Sequence, residues 1–567
     1  MRLLLFSLLA VFLVGICPTR VIAQKEVNLA DSVVLTDTVI WSKINFDAKD
    51  GASIPEPLYV RQGYLIVLEK EWERKVLGYD YYGRPYRFGP TKYTYFISKI
   101  NLNSGRHTER IQLELHKEWD NDSKVRLSSI YNIGGRMLIN SRQYSKKYGV
   151  KVTAHPIDNW GDQEPIEKTL ISCDRQLRIY NRRSPDRELL LSYYFLRKPD
   201  DTVEMYYTVT DSTLFVLKKR AISLGLEIEA KNVVDSYDTE TQERFYRSVK
   251  IDNKGNIYII GTKKKQTVLM KYTLSGEKIN EQRVIPNEAY LSRDFRAEFT
   301  ANGRMVVAGV YSAADSTTLD QYHENDNSCE ATEARFKVRA QGTFASEFDA
   351  EKATRLSYVS HAFSPADYKQ LVFSEDLKDN MEEAYDCLKD SIVWAPSLSN
   401  LSLVSMVVKN GKVLLVTEKV MGVGNDYSIE DIIVFQQSIS DSTDLKISRI
   451  PKKQPLLDSY SPAHGMFVQK EKDQLKVWSN IEKYEVDKLE EDFEPSGYSP
   501  ARGRLTESVY SLDGELTRTT KLVEGLEEDY AFLPRYFTLS DDLLFLVKHQ
   551  GSTARIGWIK LTSNDEE

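Results

Sequence analysis

Cysteine is scarce in this chain, which holds four cysteines in 567 residues. Cys17 lies in an apolar stretch near the amino terminus, so Cys173, Cys329 and Cys387 remain for the rest of the chain. An odd and sparse set excludes a disulfide framework, and it lacks the paired spacing of a structural zinc site. Spacing alone leaves two alternatives open, a Cys329–Cys387 disulfide or isolated thiols.

A surplus of basic residues is also missing. The 83 aspartates and glutamates outnumber the 76 lysines and arginines, which gives a net charge of −7. No basic arm or stripe with interleaved aromatic residues offsets this balance. Because nucleic-acid binding depends on neutralising phosphates with clustered lysine and arginine, we expect no nucleic-acid partner.

The sequence lacks the short motifs of the common enzyme classes. It has no phosphate-binding loop, no H-E-x-x-H, no G-x-S-x-G and no sialidase-type Asp box. The polar run at residues 323–327, with Cys329 and Glu330 nearby, and the acidic run at residues 120–122 lack the ligand spacing of a calcium or zinc site. We therefore predict no catalytic residue, no metal and no cofactor.

Only the amino terminus carries a long apolar run. Arg2 precedes an apolar stretch at residues 3–16, and residues 21–23 supply the small residues that signal peptidase recognises. This pattern predicts a signal peptide at residues 1–23 with Gln24 as the first mature residue. The run is shorter than the ~20 residues that a membrane span needs. Ile16 occupies a position where a lipoprotein signal has a small residue. We expect an exported protein, in the periplasm, on the outer surface or secreted, with no transmembrane segment after cleavage.

What the sequence does contain is a repeated β-module, clearest at residues 247–286. Alternating apolar residues end in the turn Asp252-Asn253-Lys254-Gly255-Asn256, an apolar strand follows, and Ser275-Gly276-Glu277 forms a second tight turn. Four short strands within about 40 residues are typical of a propeller blade, a sheet that buries both faces against its neighbours.

Similar units recur along the chain, as in AEFTANGRMVVAGVY at residues 297–311 and SMVVKNGKVLLVTEKV at residues 405–420. The fold class predicted is all-β, a single β-propeller of about eight four-stranded blades at residues 24–567. Seven blades and two stacked β-sandwich domains are the alternatives. The last unit lacks a strand, so we expect the amino-terminal strand at residues 32–43 to complete it and close the ring.

Two segments depart from the repeat. A polar insert covers residues 312–334, and a short helical insertion is predicted at residues 364–392. Within the latter, apolar residues recur at helical spacing on one stripe between residues 377 and 388. Such a stripe indicates local core or a docking helix.

Five pieces of the sequence carry a family resemblance. They are SPDRELLLSYYF (184–195), VKIDNKGNIYIIG (249–261), NGRMVVAGVYS (302–312), EDIIVFQQ (430–437) and RIPKKQ (449–454). In this order they resemble an uncharacterised exported β-propeller-like protein family of Bacteroidota. The resemblance implies a secreted or surface-exposed propeller, and it brings no catalytic residues. The polar insert departs from the family pattern.

A tyrosine- and arginine-rich tip lies in the first unit. Aromatic rings stack on sugars and peptide side chains, and arginine binds carboxylates. The ligand-contact candidates are Tyr81, Tyr82, Arg84, Tyr86 and Arg87. The alternative is a hairpin that folds its aromatic residues onto the ring.

Asp-Ser and Asp-Thr pairs followed by an aliphatic residue or threonine resemble the O-glycosylation acceptor of exported Bacteroidota proteins. The candidates are Ser32, Thr38, Thr202, Ser212, Ser316, Ser391 and Ser442. Such pairs are also ordinary turn residues.

Repeat architecture without catalytic motifs predicts a monomeric, exported binding scaffold whose partner is an extracytoplasmic protein or glycan. The alternative is a glycan-active enzyme with carboxylates converging at the central channel, because such residues come from distant strands and need no local motif.

Overall fold

The computed structural model shows an all-β propeller in which one short helix accompanies the 36 strands of the described residues. The structure describes residues 33–35, 40–42, 46–47, 55–79, 85–115, 124–145, 149–157, 164, 167–175, 177–198, 203–224, 249–263, 266–287, 291–312, 340–371, 401–421, 427–452, 454–456, 466–470, 474–482, 503–511, 518–522, 531–534, 537–540, 543–550 and 553–563. None of the helices in these ranges is long and apolar enough to cross a membrane.

Three very short strands come first: β1 (Val33–Leu35), β2 (Ile40–Trp41) and β3 (Phe46–Asp47). The first three blades are β4 (Glu56–Arg61), β5 (Tyr64–Tyr79), β6 (Pro85–Asn101) and β7 (His107–Gln112); β8 (Lys124–Ile133), β9 (Arg136–Ser145), β10 (Gly149–Ile157) and β11 (Lys168–Cys173); and β12 (Tyr180–Arg183), β13 (Leu189–Arg197), β14 (Val203–Asp211) and β15 (Val216–Ser223).

The fourth and fifth blades are β16 (Val249–Ile251), β17 (Ile257–Lys263), β18 (Gln266–Tyr272) and β19 (Lys278–Arg283), then β20 (Leu291–Phe299), β21 (Arg304–Ser312), β22 (Gly342–Asp349) and β23 (Arg355–Ala362). Helix α1 (Pro365–Leu371) follows. The sixth and seventh blades are β24 (Leu401–Lys409), β25 (Lys412–Met421), β26 (Tyr427–Ser438) and β27 (Leu445–Ile450), with β28 (Gln454–Leu456) added beside β26, then β29 (Met466–Lys470), β30 (Gln474–Glu482), β31 (Gly503–Ser511) and β32 (Arg518–Leu522).

The chain ends in a composite sheet that differs from the blades. Its strands are β33 (Ala531–Phe532), β34 (Thr538–Ser540), β35 (Leu543–Gln550) and β36 (Thr553–Ser563), together with β1, β2 and β3. Both β33 and β34 pair with β35, and all three amino-terminal strands pair with β36. The prediction of eight four-stranded blades is therefore wrong in its number. The structure supports seven blades, because the last strands and the amino-terminal strands form one irregular seven-stranded sheet rather than an eighth four-stranded unit.

The amino-terminal strands pair with the end of the chain in antiparallel register, for example Val33 opposite Ser563 and Ile40 opposite Trp558. Leu65 and Val67 of the first blade pack with Phe545 and Val547 of the composite sheet. The pairing agrees with the prediction that residues 32–43 join the last sheet. Closure of a complete ring stays a prediction.

Each blade buries both faces because side chains alternate along its strands. In the fourth blade, Ile257 and Ile259 pack against the third blade, whereas Tyr258 and Ile260 pack against the fifth. This period of two converts a continuous apolar run such as Ile257–Ile260 into two separate interfaces. The core of the protein is thus a series of layers between neighbouring blades.

Part of the predicted helical insertion lies in the described residues. Helix α1 is a single capped helix whose Ser364 hydroxyl and Asp367 carboxylate bond one another's backbone amides. The apolar stripe between residues 377 and 388 and all of the polar insert after Ser312 lie outside the described residues.

Candidate functional site

Charged side chains from the first strands of two non-neighbouring blades meet. Lys470 on β29 of the seventh blade places its Nζ 2.7 Å from Oε1 of Glu298, which lies on β20 of the fifth blade. The contact bypasses the sixth blade, so both side chains must reach the region that the first strands surround. We call the charged residues there the axial cluster: Arg182, Lys250, Arg296, Glu298 and Lys470.

Two arginines of the axial cluster link neighbouring first strands. Arg182 on β12 donates from Nε to the Val249 carbonyl on β16, at 3.2 Å. Arg296 on β20 donates to the carbonyls of Leu403 and Val404 on β24, at 2.8 and 2.7 Å from Nη2. Both guanidinium groups thus satisfy backbone oxygens of the next blade. A carbonyl oxygen carries no formal charge, so these hydrogen bonds do not by themselves neutralise the guanidinium groups.

Lys250 lies on β16, between these two arginine-bearing strands. It is half-buried and stands opposite Tyr258 in the antiparallel register, a position that faces the fifth blade. Within the part of the chain that the structure describes, no group accepts a hydrogen bond from its ammonium. Burial is the main reason that the pKa of Lys250 falls from 10.5 to about 8. The charge of Arg182 lowers this pKa further, Glu298 opposes the change, and Arg296 and Lys470 lower it again.

The charge of the axial cluster is mostly positive, with four cations and one carboxylate. The nearby Asp294 carboxylate accepts hydrogen bonds from the Leu403 amide at 2.8 Å and from its neighbour's amide, that of Phe295, at 2.9 Å. Both carboxylates on β20 are therefore engaged by groups of this chain. The arrangement favours binding of a negatively charged group over the acid and base chemistry of a carboxylate pair.

A serine, a histidine and a glutamate lie together in the second blade. Ser141 Oγ is 2.8 Å from His155 Nε2, and His155 Nδ1 is 4.0 Å from Glu167 Oε2. This order resembles a nucleophile, base and orienting acid. However, Ser141 and His155 are both fully buried, on the face of the sheet that packs against the first blade. A substrate has no access to the hydroxyl, so the set is a satisfied polar contact between blades.

The RIPKKQ piece at residues 449–454, one of the five that carry the family resemblance, contributes two buried ion pairs to the sixth blade. Lys452 Nζ lies 2.9 Å from Glu418 Oε1, and Arg449 Nε lies 2.8 Å from Asp431 Oδ2. The Lys452 amide also donates to Asp431, at 3.2 Å. These contacts attach the end of β27 and the residues just after it to β25 and β26, which is a structural role.

The predicted ligand-contact residues fall mostly outside the described residues. Tyr81, Tyr82 and Arg84 lie there, and so do the side chains of Tyr86 and Arg87, whose backbone belongs to β6. That this tip binds a ligand stays a prediction.

Two O-glycosylation candidates are described. Ser442 is exposed in the turn before β27, whereas Ser212 is half-buried in the turn after β14. Ser212 lies so close to Gly134 of the second blade that a Cβ on that glycine would be 2.3 Å from the serine Cβ. The other five candidates, Ser32, Thr38, Thr202, Ser316 and Ser391, lie outside the described residues.

Of the cysteines and the two candidate metal-binding runs, the structure describes only Cys173. Cys173 is a buried free thiol whose pKa is raised mainly by burial. Cys329, Cys387 and residues 120–122 and 323–327 lie outside the described residues. Among the residues that are described, no three histidine, cysteine, aspartate or glutamate side chains are grouped as metal ligands.

Sequence reasoning missed the axial cluster, although one signal was present. Lys250 pairs with Tyr258 and Glu298 pairs with Val306, which places the two charges at equivalent positions of successive blades. Aligning the two strand–turn–strand openings would have shown a charged residue two positions before each turn. Lys470 gives no such signal, since its role depends on the distance across the axis.

Comparisons with known proteins give fold-level likenesses only. No family model matches the chain, and no curated protein matches it. Among solved structures, the acylaminoacyl peptidase of Pyrococcus horikoshii is 10% identical with a TM-score of 0.33, over 89% of this chain and 59% of that chain. Prolyl oligopeptidase B of Galerina marginata is 9% identical with a TM-score of 0.33, over 82% of this chain and 47% of that chain. Dipeptidyl peptidase 4 of Porphyromonas gingivalis is 9% identical with a TM-score of 0.30, over 67% of this chain and 44% of that chain. The chain thus spans about half the length of these structures, and likenesses at these scores carry no conclusion about activity.

Proposed function

We propose that this protein is an exported binding scaffold whose ligand or partner engages the axial cluster. The observation that carries the proposal is the convergence of charged side chains from the third, fourth, fifth and seventh blades on one region. Four of these five side chains are cations, and both carboxylates on β20 are already bonded within the chain. A site of this kind holds a ligand or an acidic partner surface without chemistry of its own.

The same proposal includes a closed ring. The composite sheet joins strands from both ends of the chain, and its apolar face packs on the first blade. Such a sheet would hold the first strands at fixed distances around the axis, which a binding site built from several blades requires.

The test compares partner capture by the mature protein and by two charge-reversal variants. Lys470→Glu changes an accessible member of the axial cluster, and Lys254→Glu changes a lysine that is 77% exposed in the turn after β16 and lies outside the cluster. Each protein is immobilised and incubated with detergent-solubilised native envelope, and the retained proteins and glycans are identified by mass spectrometry. We expect the ligand to be retained by the wild type and by Lys254→Glu, and to be depleted about tenfold or more on Lys470→Glu.

Two outcomes would overturn the proposal. One is the same retained set on all three proteins, which would remove the axial cluster from binding. The other is release of new reducing ends when the wild-type protein is incubated with envelope glycans, which would establish the alternative of a glycan-active enzyme.

A further inference from the structure

We propose that the Lys250 ammonium is the main contact for an oxyanion group, a carboxylate or a phosphate, that enters the axial cluster beside Lys470. This inference rests on the proposed function and names the chemistry of its ligand. The shared chemistry is a compact, negatively charged oxygen group. A lysine recognises such a group as a point charge and does not require a planar, bidentate partner.

The geometry singles out Lys250 among the four cations. Arg182 and Arg296 have their guanidinium groups on backbone carbonyls of the adjoining first strands, and Lys470 is paired with Glu298. The ammonium of Lys250 is the member of the axial cluster that bonds to no group in the described ranges. It therefore retains its hydrogen-bonding capacity for a ligand.

The charges that face Lys250 come from three other blades. Arg182 of the third blade, Arg296 of the fifth and Lys470 of the seventh are positive, and Glu298 of the fifth is the one carboxylate among them. Tyr258 stands opposite on the same face of its own sheet. A half-buried ammonium among three like charges and a single carboxylate is incompletely compensated, and a bound oxyanion would supply the missing negative charge.

The route to Lys250 follows from exposure. Lys470 and Glu298 are 40% and 35% exposed, so their end of the axial cluster is open to water. An anion arriving there first meets Lys470 and then has Lys250 as the deeper cation. Binding would hold Lys250 protonated and raise its pKa towards the ordinary range, because the negative charge stabilises the ammonium.

The experiment measures binding of sodium acetate and of inorganic phosphate to the mature protein by calorimetry, at constant ionic strength in chloride. Acetate stays negatively charged from pH 7 to pH 9.5. A change in its affinity over this range therefore reports the titration of Lys250 and not that of acetate. We expect acetate to bind at pH 7 and to bind about 30-fold more weakly at pH 9.5, since one proton is lost above a pKa of about 8. Comparison of acetate with phosphate at pH 7 distinguishes a carboxylate ligand from a phosphate ligand.

Three variants make the assignment specific. Lys250→Met should weaken binding about tenfold or more, and Lys254→Met, on the exposed turn of the same blade, should leave it unchanged. Lys250→Arg should bind acetate equally at pH 7 and pH 9.5, because a guanidinium stays charged throughout. The arginine variant also serves if Lys250→Met does not fold, which near-ultraviolet circular dichroism would show.

The inference is overturned if neither anion binds, if Lys250→Met binds as tightly as the wild type, or if acetate affinity does not depend on pH. Partner capture that still depends on Lys470 under those outcomes would leave the proposed function standing and remove only the oxyanion site. Capture that is independent of Lys470 would remove the proposed function itself.

Discussion

Lys470 Nζ lies 2.7 Å from Glu298 Oε1 although 172 residues separate them in the chain. The contact joins the first strands of the seventh and fifth blades across the region that they share. It shows that side chains of distant blades reach one another. The pKa of Lys250 is lowered mainly by burial, and the charges of Arg182, Arg296 and Lys470 lower it further.

The first prediction concerns stability and pH at Lys250. The folded protein releases this proton near pH 8 and the unfolded chain near pH 10.5, so the unfolded state binds more protons between these values and stability rises with pH there. Replacing the lysine by methionine removes this dependence. In chloride buffer, Lys250→Met should be more stable than the wild type below pH 8 by up to about 3 kcal/mol, since one pKa unit corresponds to about 1.4 kcal/mol.

The advantage of Lys250→Met should shrink steadily between pH 8 and pH 10.5. Urea denaturation at four or five pH values measures this, with Lys254→Met as the exposed control. A difference in free energy of unfolding that stays constant over this range would contradict the assignment of the low pKa to Lys250.

The second prediction concerns the buried ion pair of the sixth blade. Lys452 and Glu418 are 2% and 9% exposed, so Lys452→Met leaves a buried carboxylate without its partner. We expect a loss of about 3–5 kcal/mol, and partial recovery in the double variant Lys452→Met/Glu418→Gln. The matched control is Lys470→Met, which breaks an accessible pair and should cost less than about 1 kcal/mol. Equal losses in the two single variants, measured by thermal or urea denaturation, would show that the Lys452 pair is not shielded from water.

The third prediction concerns Gly309, where β21 approaches β20 closely. A Cβ at this position would lie 2.0 Å from the Asp294 carbonyl oxygen and 2.7 Å from the Phe295 Cα. Gly309→Ala must therefore push β20 away, with an expected cost of about 1–3 kcal/mol beyond that of an unobstructed glycine. Gly303→Ala is the control, because nothing lies within 4 Å of its Cβ and only its positive φ of 75° is strained.

Because β20 carries Arg296 and Glu298, Gly309→Ala should also weaken anion binding at the axial cluster, whereas Gly303→Ala should not. Thermal denaturation and acetate calorimetry on both variants give the comparison. Identical melting temperatures for Gly309→Ala and Gly303→Ala would mean that β20 can move away without a loss of folding stability.

The fourth prediction concerns Tyr258, which connects the fourth and fifth blades. Its hydroxyl lies 3.0 Å from Asp252 Oδ2 and 2.5 Å from the Ala350 carbonyl oxygen. Burial, followed by the charge of Asp252, raises the pKa of this phenol well above 10. This raised pKa stabilises the folded state fully below pH 10. The stabilisation is lost as pH rises further, because the Tyr258 phenol ionises at lower pH in the unfolded chain than in the folded protein.

Tyr258→Phe should therefore be less stable than the wild type at pH 7, by about 1–2 kcal/mol for the lost hydrogen bonding. Above pH 10 the wild type should lose stability more steeply than the variant, so that the two denaturation midpoints converge. Parallel curves for the two proteins between pH 9 and pH 11.5 would contradict a buried, unionised Tyr258.

Much of the fold could be predicted from local patterns. The alternation at residues 248–251, the turn at Gly255 and the apolar run Ile257–Ile260 specify a strand, a turn and a strand without reference to the remaining chain. The structure places these elements in the fourth blade as expected. The blade number was harder, because short strands such as Ala531–Phe532 and Thr538–Ser540 look like parts of an ordinary unit until their partners are known.

The candidate site could not be predicted in the same way. The tyrosine- and arginine-rich tip is a local cluster and was therefore visible in the sequence, whereas the axial cluster draws one or two residues from each of four blades. Aligned units show a charged residue before the turn in the fourth and fifth blades, at Lys250 and Glu298. No local pattern shows that Lys470 of the seventh blade contacts Glu298, since that contact depends on how the blades pack.

The sequence by itself determined the all-β class, the repeated strand–turn–strand unit and the acidic overall charge, because each depends on nearest neighbours or on composition. Tertiary structure alone decided that the last strands join the amino-terminal ones in a composite sheet. It also decided that a positively charged cluster forms at the axis of a protein whose net charge is −7. The physical reason is distance: electrostatic effects depend on separation in space, and the packing of the blades brings together charges that the chain keeps tens to hundreds of residues apart.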